Sequence, residues 1–491
     1  MAKRVAVIDI GSNSIRMVIY EKTSRFAFHL LHEEKSKVRI SENAYKHSGA
    51  LQEIPMQRTF DALAEFLQIS SSFSVRKTLC VATSALRDAP NKKEFLQRVK
   101  EKLQLNIKVI SGEKEAYYGA IACANLLPPQ SQALSVDIGG GSTELALIDG
   151  KDVSETISLN LGTVRLKELY FDQEDISGAK AAIDSELEKL TTTQITTLVG
   201  IGGTFRALSN AILELSDYPL NKLHAYEYSI EKFNHFLDAV LDADEQQLKA
   251  LGIKSNRFDV IKPGTLILKR LVKKLKLSKV ITSGVGVREG LYLSDLLRNS
   301  QHKFPNNYNT SVAYLIDSHI PQTQYSNQLS KLSKKLFDLT QDHFSLDSCY
   351  RYELGLAAKL YPSGSNVHFY SKNKHSYYLI QSALEYGFTH KNITLIATLC
   401  KYAKSKLPAE SHILKYRQLL PDVKTTNALS FLLSLTITLL SHRPRNIDFE
   451  VSFDEGILYI DSKKRLYIAQ DIIDKLECRN EQLNVVFRTT A

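Results

Sequence analysis

VAVIDIGSNSIRMVIY at residues 5–20 and ALSVDIGGGSTELALI at residues 133–148 follow one plan twice. Each begins with an apolar run ending in Asp, continues through Ile-Gly into a turn of Gly, Ser, Asn and Thr, and returns as a second apolar run. VAVI and MVIY have the length and β-branched content of strands, and the small polar residues between them are hairpin chemistry. The two aspartates, Asp9 and Asp137, stand 128 residues apart. A repeated strand–Asp–Gly-turn–strand unit predicts two similar lobes facing one another across a cleft.

Outward from these hairpins, the first 300 residues alternate strands and helices. MQRTFDALAEFLQI (56–69) places Phe60, Leu63, Phe66 and Leu67 on one helical face. KTLCVATSAL (77–86) and IKVIS (107–111) read as strands, and EKEAYYGAIACANLL (113–127) as a helix ended by Pro128-Pro129. TTLVGIGGT (196–204) and KVITSGVG (279–286) are strands running into glycine turns. This βα alternation predicts an α/β architecture. After HKFPNNYN (302–309) the pattern becomes helical, with SNQLSKLSKKLFDLT (326–340) periodic and DFEVSFDEGILYIDS (448–462) a closing β element.

The totals set the frame. A chain of 491 residues exceeds one hydrophobic core, and 43% hydrophobic with 24% charged residues is the composition of a folded globular protein. A formal charge of +10, with Lys and Arg scattered rather than in runs, favours polyanionic ligands without specifying nucleic acid or a membrane surface. Cys80, Cys123, Cys349, Cys400 and Cys478 are far apart and contain no C-x-x-C pair, so neither a disulfide framework nor a zinc site is expected. The uncharged stretch Thr425–Ser441 falls short of the ~20 apolar residues of a membrane span and reads as a buried helix. Asp9 and its turn come too early for a signal-peptide core. A soluble, cytoplasmic protein is the expectation.

Chemistry concentrates at the turns. Gly139, Gly140 and Gly141 let backbone amides approach an anion, and Ser142 and Thr143 add hydroxyl donors. Asp137 and Glu144 flank this loop. Carboxylates beside a phosphate cradle repel the substrate unless a hard cation bridges them, which suits Mg²⁺. Asp9, Gly11, Ser12, Asn13 and Ser14 repeat the arrangement. Glu113 and Glu115 both fall in the first turn of a helix, where the dipole favours acids by ~0.3–1 kcal/mol. A general base would be one of them, and spacing does not choose. Arg87 could hold phosphate oxygens bidentately or pair with Asp88. Thr204, Arg206, Arg165 and Arg288 are likewise polar groups beside glycine turns.

Together VIDIGSNSIRMVIY, ATSALRDAPN, VISGEKEAYYG, DIGGGSTE, LGTVRL, GIGGTFRAL, IKPGTLIL and SGVGVREG resemble the exopolyphosphatase/guanosine pentaphosphate phosphatase family, over about residues 5–295. The resemblance implies two actin-like, ribonuclease H-like lobes at 1–124 and 125–304, then a helical HD-like domain at 305–491 with a small β element at its end. It implies an Mg²⁺-dependent hydrolase, with Mn²⁺ as a substitute. The reaction is release of terminal phosphate from polyphosphate or of the 5′ γ-phosphate of pppGpp, giving ppGpp in the stringent response. By the same resemblance Glu115 is the catalytic base. Asp137, Glu144 and Asp9 are metal-associated acids, while Arg87, Thr204, Arg206 and both loops bind phosphate. It allows a homodimer and calls for neither membrane nor specific nucleic acid. The helical domain departs from the metal-binding pattern: Tyr325, Tyr361 and Pro362 occupy ligand positions, and His375 alone matches. Two other readings share the twin loops, a non-catalytic (p)ppGpp-binding regulator and another actin-like ATPase or kinase.

Overall fold

The computed structural model describes residues 4–190, 194–404, 406–476 and 483–489, and the chain divides into two units, Met1–Tyr308 and Asn309–Ala491. In the first unit the two hairpins seed two sheets of the same topology. β1 (Arg4–Ile10), β2 (Ile15–Lys22), β3 (Phe28–Ser36), β4 (Lys77–Ala82) and β5 (Lys108–Val109) lie in the order 3-2-1-4-5. β6 (Ala133–Ile138), β7 (Thr143–Asp149), β8 (Asp152–Leu159), β9 (Thr197–Ile201), β10 (Tyr226–Ser229) and β11 (Lys279–Thr282) lie in the order 8-7-6-9-11-10. In both, three antiparallel strands continue into parallel ones, and β10 adds an antiparallel edge to the second. This repeated mixed sheet is the ribonuclease H-like plan of an actin-like pair of lobes.

β1 is buried along almost its whole length because helices cover both faces of its sheet, so it reads as an unbroken apolar run. The helix Glu53–Ser72 presents Met56, Leu63 and Phe66 to a core shared with Ile8, Ile10 and Phe95. The second core gathers Val136, Leu198, Phe205, Leu208 and Ile267. The lobes interlock. The helix Gly112–Leu126 packs on β7 and β8, and the helix Val287–Leu296 packs on it and also on β1.

The second unit is mainly helical. Its uncharged segment forms the helix Val423–Leu439, buried along most of its length. No helix among the described residues is long and apolar enough to cross a membrane. β12 (Phe449–Asp454) and β13 (Ile457–Ser462) make the closing hairpin. Its turn puts Glu455 and Gly456 at φ 41° and 81°, the left-handed pair that a tight hairpin requires. A third strand, β14 (Asn484–Thr489), joins parallel to β13. Cys80, Cys123, Cys349 and Cys400 are free, and Cys478 lies outside the described residues.

Candidate active site

The two hairpins carry their chemistry at equivalent registers. Across β1 and β2, Asp9 stands opposite Arg16; across β6 and β7, Asp137 stands opposite Glu144. One strand further, Arg16 meets Lys35 and Glu144 meets Ser158. One sheet therefore delivers a row of acid, base, base and the other a row of acid, acid, hydroxyl. The turns close alike, with Gly11 N–H donating to Ser14 O at 3.2 Å and Gly139 N–H to Ser142 O at 2.9 Å.

The loops press together. A methyl group on Gly141 would lie 2.3 Å from the Tyr45 hydroxyl and 2.6 Å from Ser84 Oγ, so only glycine permits this approach. Ser12 Oγ and Ser84 Oγ are 3.0 Å apart beside it. Behind the glycine loop, Thr163 N–H donates to Gly139 O, and the Val164 and Arg165 amides donate to Gly140 O. Arg165 Nε reaches Gly141 O at 2.9 Å. These bonds fix the loop from its carbonyl side.

Asp9, Gly11, Ser12, Asn13, Ser14, Glu115, Asp137, Gly139, Gly140, Ser142, Thr204 and Arg206 line one cleft. The structure separates the two glutamates of the helix start. Ser111 caps that helix by accepting from Lys114 N–H, which leaves Glu113 exposed and turns Glu115 into the cleft wall. Arg87 Nη1 donates to Glu115 Oε2 at 3.0 Å, and Nη2 to Ser142 Oγ at 3.2 Å. The same Nη2 stands 3.8 Å from Glu144 Oε1. Arg87 thus ties the acids together rather than extending freely into the cleft. Glu144 lies beneath the wall, its Oε1 accepting from Ser158 Oγ at 2.9 Å. Thr143 differs from expectation. Strand alternation turns it away from the cleft, and its hydroxyl donates to Leu161 O at 2.6 Å, so it serves the fold.

The charges are under strain of two opposite kinds. Burial, then mutual repulsion, raises the pKa of Asp137 to about 6 and pushes Glu115 well above the usual carboxylate range. Glu144 and Asp9 rise chiefly through burial. Asp9 Oδ1 and Glu144 Oε2 are buried with no hydrogen-bond partner among the described residues. On the other side, burial and neighbouring cations hold Arg206 down to about 10 and Lys35 to about 8, and lower Arg16. Arg257 and Arg288 complete this cationic wall. Glu33 steadies it, accepting from Arg288 at 2.8 Å and from Arg16 at 3.5 Å.

Three glycines allow the crowding. A Cβ on Gly202, itself at φ 92°, would lie 2.4 Å from Asp137 Oδ1. One on Gly203 would lie 2.3 Å from the Arg257 guanidinium, and one on Gly264 2.5 Å from Thr204 Oγ1. The helix Gly202–Leu215 starts here, so its first amides and positive dipole end face the cleft, as at other anion-binding helix starts.

A family model described as the Ppx/GppA phosphatase family matches residues 18–299, and one described as Ppx/GppA phosphatase, domain III, matches 309–475. The chain belongs to the Ppx/GppA phosphatase family. A guanosine-5′-triphosphate,3′-diphosphate pyrophosphatase of Photobacterium profundum is 28% identical over 425 residues, 83% of this chain and 82% of that one. The Ppx/GppA family member of Aquifex aeolicus superposes with a TM-score of 0.53 at 31% identity, over 61% of this chain and 99% of the other. An exopolyphosphatase from Cytophaga hutchinsonii gives a TM-score of 0.56 at 23% identity, over 62% and 100%, a likeness of fold.

Arg16 and Arg257 are the cleft residues that sequence reasoning missed. Arg16 was signalled by the repeat, since it occupies the register of Glu144. Arg257 ends a short turn, Ser255–Arg257, with no motif around it.

Proposed function

We propose that this family member releases terminal phosphate from inorganic polyphosphate or the 5′ γ-phosphate from pppGpp, with Mg²⁺. One observation carries the reading: the acids Asp9, Glu115 and Asp137 and the four arginines Arg16, Arg206, Arg257 and Arg288 line one cleft, and binding the opposite charge relieves the repulsion within each set. A phosphate chain suits the cations and a hard divalent ion suits the acids.

Among the described residues no three His, Cys, Asp or Glu side chains gather as a metal cage. Mg²⁺ usually keeps several waters and takes one or two carboxylates plus substrate phosphate, so a full cage is not required. The unpartnered oxygens of Glu144 and Asp9, with Asp137 opposite Glu144 across β6 and β7, fit this arrangement. When bound, the ion offsets the charge of the phosphate oxygens.

The chain's own residues do the rest. Arg16, Arg206, Arg257 and Arg288 hold phosphate oxygens, and the amides and hydroxyls of the two loops orient the terminal group. Glu115 takes a proton from the attacking water. Its raised pKa, moderated by Arg87, makes it a stronger base than an ordinary carboxylate. Phosphoryl transfer asks mainly for positioning and electrostatic stabilisation, which this set supplies. Purified protein given polyphosphate or pppGpp should release phosphate with Mg²⁺ and stop with excess chelator. ATP turnover without either activity would favour an actin-like ATPase or kinase.

A further inference from the structure

Between β11 and the helix Val287–Leu296, each amide of the turn Ser283-Gly284-Val285-Gly286 already has a partner. Ser283 N–H donates to Gly200 O at 2.8 Å and Gly284 N–H to His224 Nδ1 at 3.2 Å. Val285 N–H donates to Ser283 Oγ at 3.2 Å, and Gly286 N–H to Glu289 Oε2 at 2.7 Å. This glycine turn therefore has no amide left for an anion. It offers a carbonyl instead: Gly284 O accepts from Arg206 Nη1 at 3.3 Å. His224, in the turn before β10, is 2% exposed. Because Nδ1 accepts the Gly284 amide, the ring proton sits on Nε2, which donates to Leu126 O at 2.9 Å. Its neighbour Ala225 stands at φ 66°, a left-handed conformation that alanine adopts only where surrounding contacts hold it.

We infer, on the reading of the cleft as a phosphate site, that His224 is a positioning residue for the reaction: it fixes Gly284, whose carbonyl holds Arg206 where phosphate oxygens bind. Arg206 stands beside Arg16 and Arg288, and their like charge pushes it away. A carboxylate partner would hold the guanidinium but cancel the charge that a phosphate needs. A peptide carbonyl holds it and leaves the charge intact. Glycine has the least restrained torsions in a chain, so Gly284 O keeps one direction only if the peptide planes on both sides of that residue are held. Ser283 Oγ holds the plane that carries Gly284 O, by accepting from Val285 N–H. His224 Nδ1 holds the plane before it. The imidazole is itself anchored by Leu126 O, at the end of the helix that carries Glu115. One buried side chain thus ties the setting of a cleft arginine to the helix of the proposed base.

Two near-isosteric substitutions separate positioning from packing. His224→Asn puts an amide oxygen at the place of Nδ1 and keeps the acceptor for Gly284 N–H. His224→Gln reaches the place of Nε2 and keeps only the bond to Leu126 O. The assay is steady-state phosphate release with Mg²⁺ from polyphosphate or pppGpp, whichever wild type hydrolyses faster, with thermal melting to check folding. His224→Gln should raise KM by roughly fivefold, the net worth of one hydrogen bond, with kcat within about twofold of wild type. His224→Asn should bring KM back to within about twofold. In an Arg206→Ala background, His224→Gln should change KM no further. Ser283→Ala, a smaller change that frees the other peptide plane, should reproduce the rise in KM. Equal KM in the Asn and Gln variants, an unchanged KM in Ser283→Ala, or a His224→Gln effect that persists in full without Arg206 would each overturn the role of His224 and leave the phosphatase reading standing. A wild type that releases no phosphate overturns both.

Discussion

Asp137 should destabilise the metal-free protein at neutral pH. Its half-buried carboxyl lies against the start of the Gly202–Leu215 helix, and its pKa rises from the ordinary 3.8 to about 6. An acid whose folded pKa exceeds its unfolded one binds the proton more tightly in the folded state. Stability therefore falls as pH rises between the two values and stays low above the higher one. A shift of roughly two units corresponds to about 3 kcal/mol. Asp137→Asn removes the ionisation, so its stability relative to wild type should be flat near pH 4 and improve by about that amount towards pH 7. For a unit of 308 residues, with an unfolding entropy of ~2.1 cal/mol/K per residue, the change is about 4–5 °C in the midpoint of that unit. Scanning calorimetry in chelator, from pH 4 to pH 8, measures it. Adding Mg²⁺ should then stabilise wild type and leave Asp137→Asn little changed. Parallel pH profiles for the two proteins would refute the assignment of Asp137 as a strained, ion-seeking acid.

Four further outcomes follow from the geometry. Glu115→Gln should lower phosphate release by ~10²–10⁴ with the fold retained, whereas Glu113→Gln, on an exposed side chain, should turn over normally in the same assay. Arg87→Ala removes the cation that lowers the pKa of Glu115, so the acid limb of the pH–rate profile should move to higher pH; an unmoved limb would mean Glu115 is not the titrating base. Gly203→Ala puts a methyl where the Arg257 guanidinium lies, and the arginine can swing away, so the variant should fold but raise KM; combined with Arg257→Ala the effect should not add, as steady-state kinetics would show. Glu33→Gln should loosen Arg16 and Arg288 and raise KM more than it lowers kcat, with partial recovery in Glu33→Asp.

The hairpins were legible because strand periodicity, turn chemistry and the repeat point to the same fold. Glu115 and Glu113 were not separable from spacing; a side chain's direction in the first helical turn depends on where the helix docks, here on β7 and β8. Thr143 shows the limit of reading hydroxyls near glycine as ligand donors, since the first residue of a strand has two faces to choose from. Arg257 could not be found because its relation to Gly203 is a tertiary contact between segments 54 residues apart in the chain. β14 escaped because its pairing is parallel and non-local, with no hairpin turn to announce it.

The equivalence of Arg16 and Glu144 has a consequence for traffic through the cleft. Two copies of one hairpin would make a symmetric slot, indifferent to which way a linear polyanion entered. A single exchange of charge at that register gives the slot a polarity, with a cationic threshold on one lobe and an acidic stop on the other. For the proposed substrate this sets an orientation, with the leading phosphate towards the ion that the acids would hold and the tail along the arginines. On the proposed reaction, end-wise cutting would follow from the vector between two side chains, and reversing both, Arg16→Glu with Glu144→Arg, would point the arrow the other way.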